Sequence, residues 1–239
     1  MNPRPAGSPV RATPPAALLL ASLLSGSCFA GGPAFTGLFA TADNAQTSYL
    51  NPAGMVHLDR SAFTGQVIYG QTFQSFQTDS SLTTTAGGDP RDQDPVLVPS
   101  LYYVRPIFGD DWRLGLTLNV PGGFGAGNGP NWAGRYYSDQ FSLVFVAATA
   151  TLARRITPWL SVGGGVSVQY TDTDSTTQVR NPNNDPDGRL EVTADGVAPG
   201  YVASVLFDLS ERTRFGVAWH SETDPEEDVE VDLILSLIH

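Results

Sequence analysis

The side chains that could do chemistry are few, and their spacing does not suit catalysis. His57, His220 and His239 lie far apart and share no metal-ligand spacing. No Gly-x-Ser-x-Gly elbow is present, and no nucleophile sits near a base in the sequence. Residues 122–129 are glycine-rich, but all 13 basic residues are arginine, so no lysine completes a phosphate loop. Asn183, Asp185, Asp187 and Gly188 follow part of a calcium loop. The position for its bidentate glutamate is Ala194 and no helical pattern flanks it, so an EF-hand fails. Calcium bridging by scattered oxygens in this acidic stretch stays open. The expectation is no catalytic residue, no metal and no cofactor.

Two other groups of residues suit recognition of apolar molecules. Phe124, Trp132, Tyr136 and Tyr137 stand around Arg135 in a polar, glycine-rich stretch. They could form a groove for an apolar tail and a carboxylate, or simply pack a loop. Asn51-Pro52-Ala53-Gly54 closes a short polar segment. Proline biases Asn51 away from the α region, and Gly54 permits a sharp reversal. A compact turn-rich segment is expected there.

These residues must be positioned by strands. The chain has 239 residues, with 25 Gly and 18 Pro, a composition that argues against a helical protein. It carries 24 acidic residues and a formal charge of −11, which excludes a phosphate-binding surface for nucleic acid. At the N-terminus Arg4 and Arg11, the apolar run 16–24 and the small residues around Ala30 form a signal-peptide pattern over residues 1–30. Cleavage after Ala30 would remove Cys28, the only cysteine, and take the charge to −13. The lipoprotein alternative, with lipid on Cys28, has its leucine one place too far upstream.

Beyond residue 60, period-two alternation recurs. Trp112, Leu114, Leu116, Leu118 and Val120 face one way; Arg113, Gly115, Thr117 and Asn119 face the other. Residues 160–170 and 201–209 repeat the pattern, and 61–77, 96–107, 141–156 and 215–219 complete seven strands. An eighth is expected to begin within 229–238. Several strands exceed the ~5–6 residues common in sandwiches and reach the ~9–11 of membrane strands. Short turns at 108–111, 155–158 and 210–212 alternate with long polar connections at 78–95, 121–140, 171–199 and from 222 onward, the outer-membrane pattern. Val144, Val146 and Leu206 are expected as apolar residues on the lumen side.

On Asn51-Pro52-Ala53, and then on Pro99-Ser100-Leu101-Tyr102-Tyr103-Val104, Trp112-Arg113-Leu114-Gly115, Asn119-Val120-Pro121-Gly122-Gly123-Phe124, Trp132-Ala133-Gly134-Arg135-Tyr136 and residues 160–165, the chain resembles the FadL/TodX family. These are bacterial outer-membrane transporters of long-chain fatty acids and other hydrophobic compounds. The resemblance implies an all-β, antiparallel up-and-down transmembrane barrel of fourteen strands, about half of them here, in residues 61–239. It implies an N-terminal hatch in residues 31–60, with Asn51, Pro52 and Ala53 as its motif. A kink at Pro121, Gly122 and Gly123 would open the wall sideways; on residue types alone the same tripeptide also reads as an ordinary loop start. Phe35, Leu38 and Phe39 of the hatch would touch cargo.

The implied partners are a hydrophobic small molecule and outer-membrane lipid, the complete protein being a monomer. The strand count and the non-aromatic end of the chain read as a truncated sequence. A non-specific porin or structural barrel is the alternative from another class.

Overall fold

The computed structural model describes residues 38–71, 79, 85, 87, 88, 96–181 and 186–235. The signal-peptide pattern and Phe35 lie outside them. A short helix α1 (Leu38–Thr41), a second helix α2 (Thr47–Leu50) and a 3-10 turn (Pro52–His57) are followed by eight strands: β1 (Ala62–Gly70), β2 (Val96–Ile107), β3 (Trp112–Gly127), β4 (Gln140–Thr157), β5 (Leu160–Val179), β6 (Gly188–Ser210), β7 (Thr213–His220) and β8 (Glu226–Ile234). All pairings are antiparallel and β1 to β7 lie in sequence order, the up-and-down arrangement expected. The N-terminal segment touches β2 at one side and β7 at the other, so the sheet curls around it.

The two faces of this sheet are inverted relative to a soluble protein. On β3, Leu116 and Leu118 are about half exposed, while Arg113, Thr117 and Asn119 are buried on the concave side. Thr149, Thr151, Ser161 and Thr171 are buried there too, whereas Leu152, Val162, Val166, Val168 and Tyr201 stand on the outer face. Polar inside and apolar outside is the pattern of a strand bounded by lipid. Near the short turns the outer face carries Trp159 stacked on Phe207, and Phe207 against Phe215, with ring centroids 6.2 Å apart in both pairs. Tyr170 lies ten residues along β5 from Leu160. At ~3.3 Å per residue and a tilt of ~45° that is about the ~25 Å height of an apolar band. Above it the outer positions turn acidic, with Asp172 opposite Asp195 and Asp195 opposite Asp228.

Three expectations are corrected. First, residues 121–127, 171–179 and 188–199 are strand, not loop; β5 and β6 pair without a break from Leu160/Phe207 to Val179/Gly188. Second, β8 is no new returning strand. It pairs β6 in the same direction as β7: His220 faces Val202 and Glu226 faces Val197. Residues 221–225 thus oppose only 198–201, one residue fewer, so β7 and β8 are one edge strand broken by a bulge. Pro225 cannot donate to a ladder, and Ser221 fills in with its backbone N donating to Tyr201 O and its hydroxyl accepting from Tyr201 N, both at 2.9 Å. Third, Val144 and Val146 share the outer face with Ala148, Ala150 and Leu152; Phe141, Leu143 and Phe145 face inward. Leu206 is on the concave side as expected, fully buried.

Glycines let the N-terminal segment approach the wall. A Cβ on Gly163 would meet the Pro52–Ala53 peptide, and one on Gly115 would fall within 2.7 Å of Ser48 Cβ. Replacing Gly163 by valine should therefore push the 3-10 turn off the wall. The expected result is a loss of about 1–3 kcal/mol in unfolding experiments, with new protease cuts in residues 38–58.

Candidate functional site

The concave face holds the site, and its floor is the N-terminal segment. Asn51, at φ −154° and ψ 87°, is extended as its following proline requires, and Pro52 starts the 3-10 turn where a missing N–H costs nothing. Gly54 is needed because a Cβ would lie 2.6 Å from Thr47 Oγ1. That hydroxyl donates to Asn51 O at 2.9 Å and holds the reversal. Asn51, Pro52 and Ala53 are all buried against the wall. Asn51 Nδ2 lies 3.5 Å from Val205 O, and Ala53 N donates to Ser204 Oγ at 2.9 Å.

Wall side chains take up the segment's remaining backbone groups. Ser48 Oγ bonds Thr117 Oγ1 at 2.8 Å, and Thr151 Oγ1 donates to Ser48 O at 3.2 Å. Three arginines clamp its carbonyls from below. Arg113 Nε donates to Leu58 O at 2.7 Å, Arg155 Nη2 to Val56 O at 2.8 Å, and Arg214 Nη1 to Thr41 O at 2.7 Å. Charge-assisted bonds of this kind contribute about 1.5–3 kcal/mol each. Ala45, Met55 and Val56 pack with Tyr102, Val104 and Ala153 in an apolar cluster at the contact. Sequence reasoning missed the arginine clamps. Their inward parity was readable for Arg113, but nothing local marks a carbonyl 55 residues away as its acceptor.

Above the floor the wall changes. The β3–β4 register shifts between Asn119 and Gly122, so β3 carries an extra residue at Val120–Pro121. A bulge of this kind reverses which side chains face inward. Phe124 therefore turns to the concave side opposite Leu143, with its ring 6.0 Å from that of Phe141. At the same level β2 and β3 part. Their ladder runs from Ile107/Trp112 only to Leu101/Leu118, while β2 stays paired to β1 as far as Val96 and β3 to β4 as far as Gly127. The wall thus has a split beside Pro121, Gly122 and Gly123.

The other candidates are placed as follows. Trp132, Arg135 and Tyr136 lie in the 128–139 connection, which is latched to the β5–β6 hairpin. Arg135 Nε donates to Asp187 Oδ2 at 3.1 Å, Tyr136 Oη donates to the same oxygen at 2.7 Å, and Arg135 and Arg180 both stand within 4.8 Å of the Tyr136 ring centroid. Burial opposes the Asp187 charge, but the bonds from Tyr136 and Arg135 outweigh it and lower the carboxyl below its ordinary value. The charge of Arg135 is thus already matched within the protein. Trp132 Nε1 donates to Ser138 O at 2.7 Å, and Tyr137 is 91% exposed, turned away from the others. Leu38 and Phe39 lie in α1, beside β7. Asn183 and Asp185 of the calcium-loop pattern fall outside the described residues, and Asp187 is engaged with Arg135.

Comparison with known proteins fits this geometry. A family model described as outer membrane protein transport protein (OMPP1/FadL/TodX) matches residues 12–232. Outer membrane protein P1 of Haemophilus influenzae is 25% identical over 235 residues, covering 81% of this chain and 51% of that protein. The long-chain fatty acid transport protein of Escherichia coli is 23% identical over 212 residues, covering 80% and 47%. The chain spans about half the length of these relatives. Among solved structures, a Pseudomonas aeruginosa FadL homologue superposes with a TM-score of 0.57 at 20% identity over 75% of this chain and 47% of its own. The CymD monoaromatic hydrocarbon channel gives 0.58 at 15%, over 83% and 54%. The Ralstonia pickettii toluene transporter TbuX gives 0.57 at 15%, over 80% and 56%. These likenesses show the barrel fold.

The underside of the floor carries a titratable latch. His57 Nε2 lies 3.2 Å from Asp208 Oδ2, Asp208 Oδ1 accepts from Arg214 Nε at 3.0 Å, and Arg214 Nη2 is 3.5 Å from His57 Nδ1. Burial, and after it the Arg214 charge, hold the His57 imidazole below its usual value of about 6.5, against a smaller opposite pull from Asp208. A detached segment therefore binds a proton more readily than a docked one. The contribution to docking is complete above about pH 6.5 and is lost as pH falls through the lowered value. Protease cutting within residues 38–58 should increase from about pH 8 to about pH 5, and His57→Asn should remove most of that increase.

Proposed function

The chain belongs to the OMPP1/FadL/TodX family of outer membrane transport proteins, and from that membership we propose that it takes part in passive uptake of hydrophobic compounds across the bacterial outer membrane. In this reading residues 1–30 are an export signal and the segment up to residue 60 is a hatch on the floor of a half-barrel. Long-chain fatty acids are the first cargo class, as the name of the Escherichia coli relative suggests. Monoaromatic compounds are the second, after CymD and TbuX.

The observation that carries the proposal is the split between β2 and β3. In hydrocarbon, unpaired backbone costs several kcal/mol per group, so a wall without function would zip to its end. Here a bulge at Val120–Pro121 ends the β2–β3 ladder at Leu118, and prolines and glycines follow where pairing would resume. An opening at the upper edge of the apolar band, where Gly122 and Gly123 continue across β4 to Thr171 and Asp172, lets an alkyl chain pass sideways into lipid with little exposure of its methylenes to water, which costs about 0.8 kcal/mol each. Phe124, Phe141, Leu143 and Phe145 give an apolar inner approach to that opening. Cargo resting on them is released toward the split when the hatch shifts around Asn51-Pro52-Ala53. A water-filled porin is the weaker reading, because the concave face is occupied by a segment bonded to strands from β3 to β7.

The test is to rebuild the ladder. Replacing Pro121-Gly122-Gly123 by Val-Thr-Val restores donors and strand propensity. Uptake of a labelled fatty acid by vesicles carrying the protein is expected to fall to background, with membrane insertion unchanged. Normal uptake at normal insertion would remove the lateral path.

A further inference from the structure

A groove of about 420 Å³ crosses the outer face of the wall from Phe63 on β1 to Val166 and Val168 on β5. Its floor is Ala148 and Ala150, successive outward positions of β4. Each is flanked by a bulkier residue on either neighbouring strand: Leu118 and Val168 beside Ala148, and Leu116 and Val166 beside Ala150. The furrow is thus built by residue size on an otherwise regular sheet, and its lining holds no charged side chain. Leu101 and Leu118 line it as well, and they are also the last pair of the β2–β3 ladder. The groove therefore begins where the split ends, at the same depth and on the lipid side. Its volume lies in the range of about 300–1,000 Å³ of small-molecule pockets.

We propose that this groove is an exit subsite, which receives the hydrocarbon part of cargo leaving through the split. The inference rests on the proposed lateral path and adds where cargo goes next. A chain passing the Leu101/Leu118 pair meets a continuous apolar furrow rather than disordered lipid, and can seat its leading methylenes before its other end has left the lumen. Because the furrow is almost entirely apolar and holds no charged side chain, it suits hydrocarbon.

The experiment uses the whole protein in phospholipid vesicles with two photoreactive probes: a fatty acid with a diazirine at its alkyl end, and a phospholipid with the same group in its acyl chain. The fatty-acid probe is expected to label β4 around residues 148–150, and excess unlabelled fatty acid should compete. The phospholipid probe should label the outer face without preference for that site. Ala148→Leu with Ala150→Leu should abolish the competed labelling and slow uptake. Val162→Leu, on the same face outside the groove, should change neither. Preferential phospholipid labelling that fatty acid does not compete would make the groove a lipid-covered wall and overturn the inference. So would unchanged uptake in the double variant. If the unaltered protein takes up neither fatty acid nor a labelled monoaromatic compound, the lateral path itself fails and the subsite falls with it; uptake that is normal but indifferent to the groove removes the subsite alone.

Discussion

A strand in this wall has lipid on one side and an interior on the other, and every backbone group in hydrocarbon must find a partner. The polar residues therefore go inward, and an inward polar face needs something to satisfy it. Residues 38–58 supply that partner. Their carbonyls accept from Arg113, Arg155, Arg214 and Thr151, and their donors reach Ser204 and Thr64. The floor and the wall each satisfy groups that the other would leave buried and unpaired. The glycines at 115 and 163 follow from the same requirement, since these bonds form only if backbone approaches backbone.

Against that background the split is the exception. From the short turns up to Leu118 the wall is laddered on both sides of β3; beyond it, among the described strands, β3 pairs with β4. One inserted residue does three things there. It ends the ladder with β2, turns Phe124 inward, and leaves Leu101 and Leu118 as the lip of an apolar furrow outside. An inner aromatic surface, an opening and an outer groove are thus tied to a single local irregularity.

Much of this was legible in the sequence, for a physical reason. Alternation at 112–120, 160–170 and 201–209 has period two because successive strand side chains alternate, and all three stretches face as read. The family, too, was readable from motifs in order along the chain. What was hidden depends on counting residues through bulges. An extra residue at Val120–Pro121 reverses parity without any change in composition, and the extra one in 221–225 made the continuation of β7 resemble a loop and a new strand. Val144 and Val146 were misplaced because Phe141, Leu143 and Phe145 are equally apolar, so hydropathy could not say which row faced lipid. The bond from Arg135 to Asp187 joins residues 52 apart and carries no local signature.

The central claim is that cargo passes only when the floor moves relative to the wall. Ser48 and Thr117 offer the direct test, because their hydroxyl oxygens lie 2.8 Å apart, one on the floor and one on β3. Cysteines at both positions would place two sulfurs within disulfide reach. Uptake of labelled hydrophobic cargo into vesicles should be blocked in the oxidised form and return on reduction. Equal uptake in both forms, with the disulfide shown to be complete, would contradict the account.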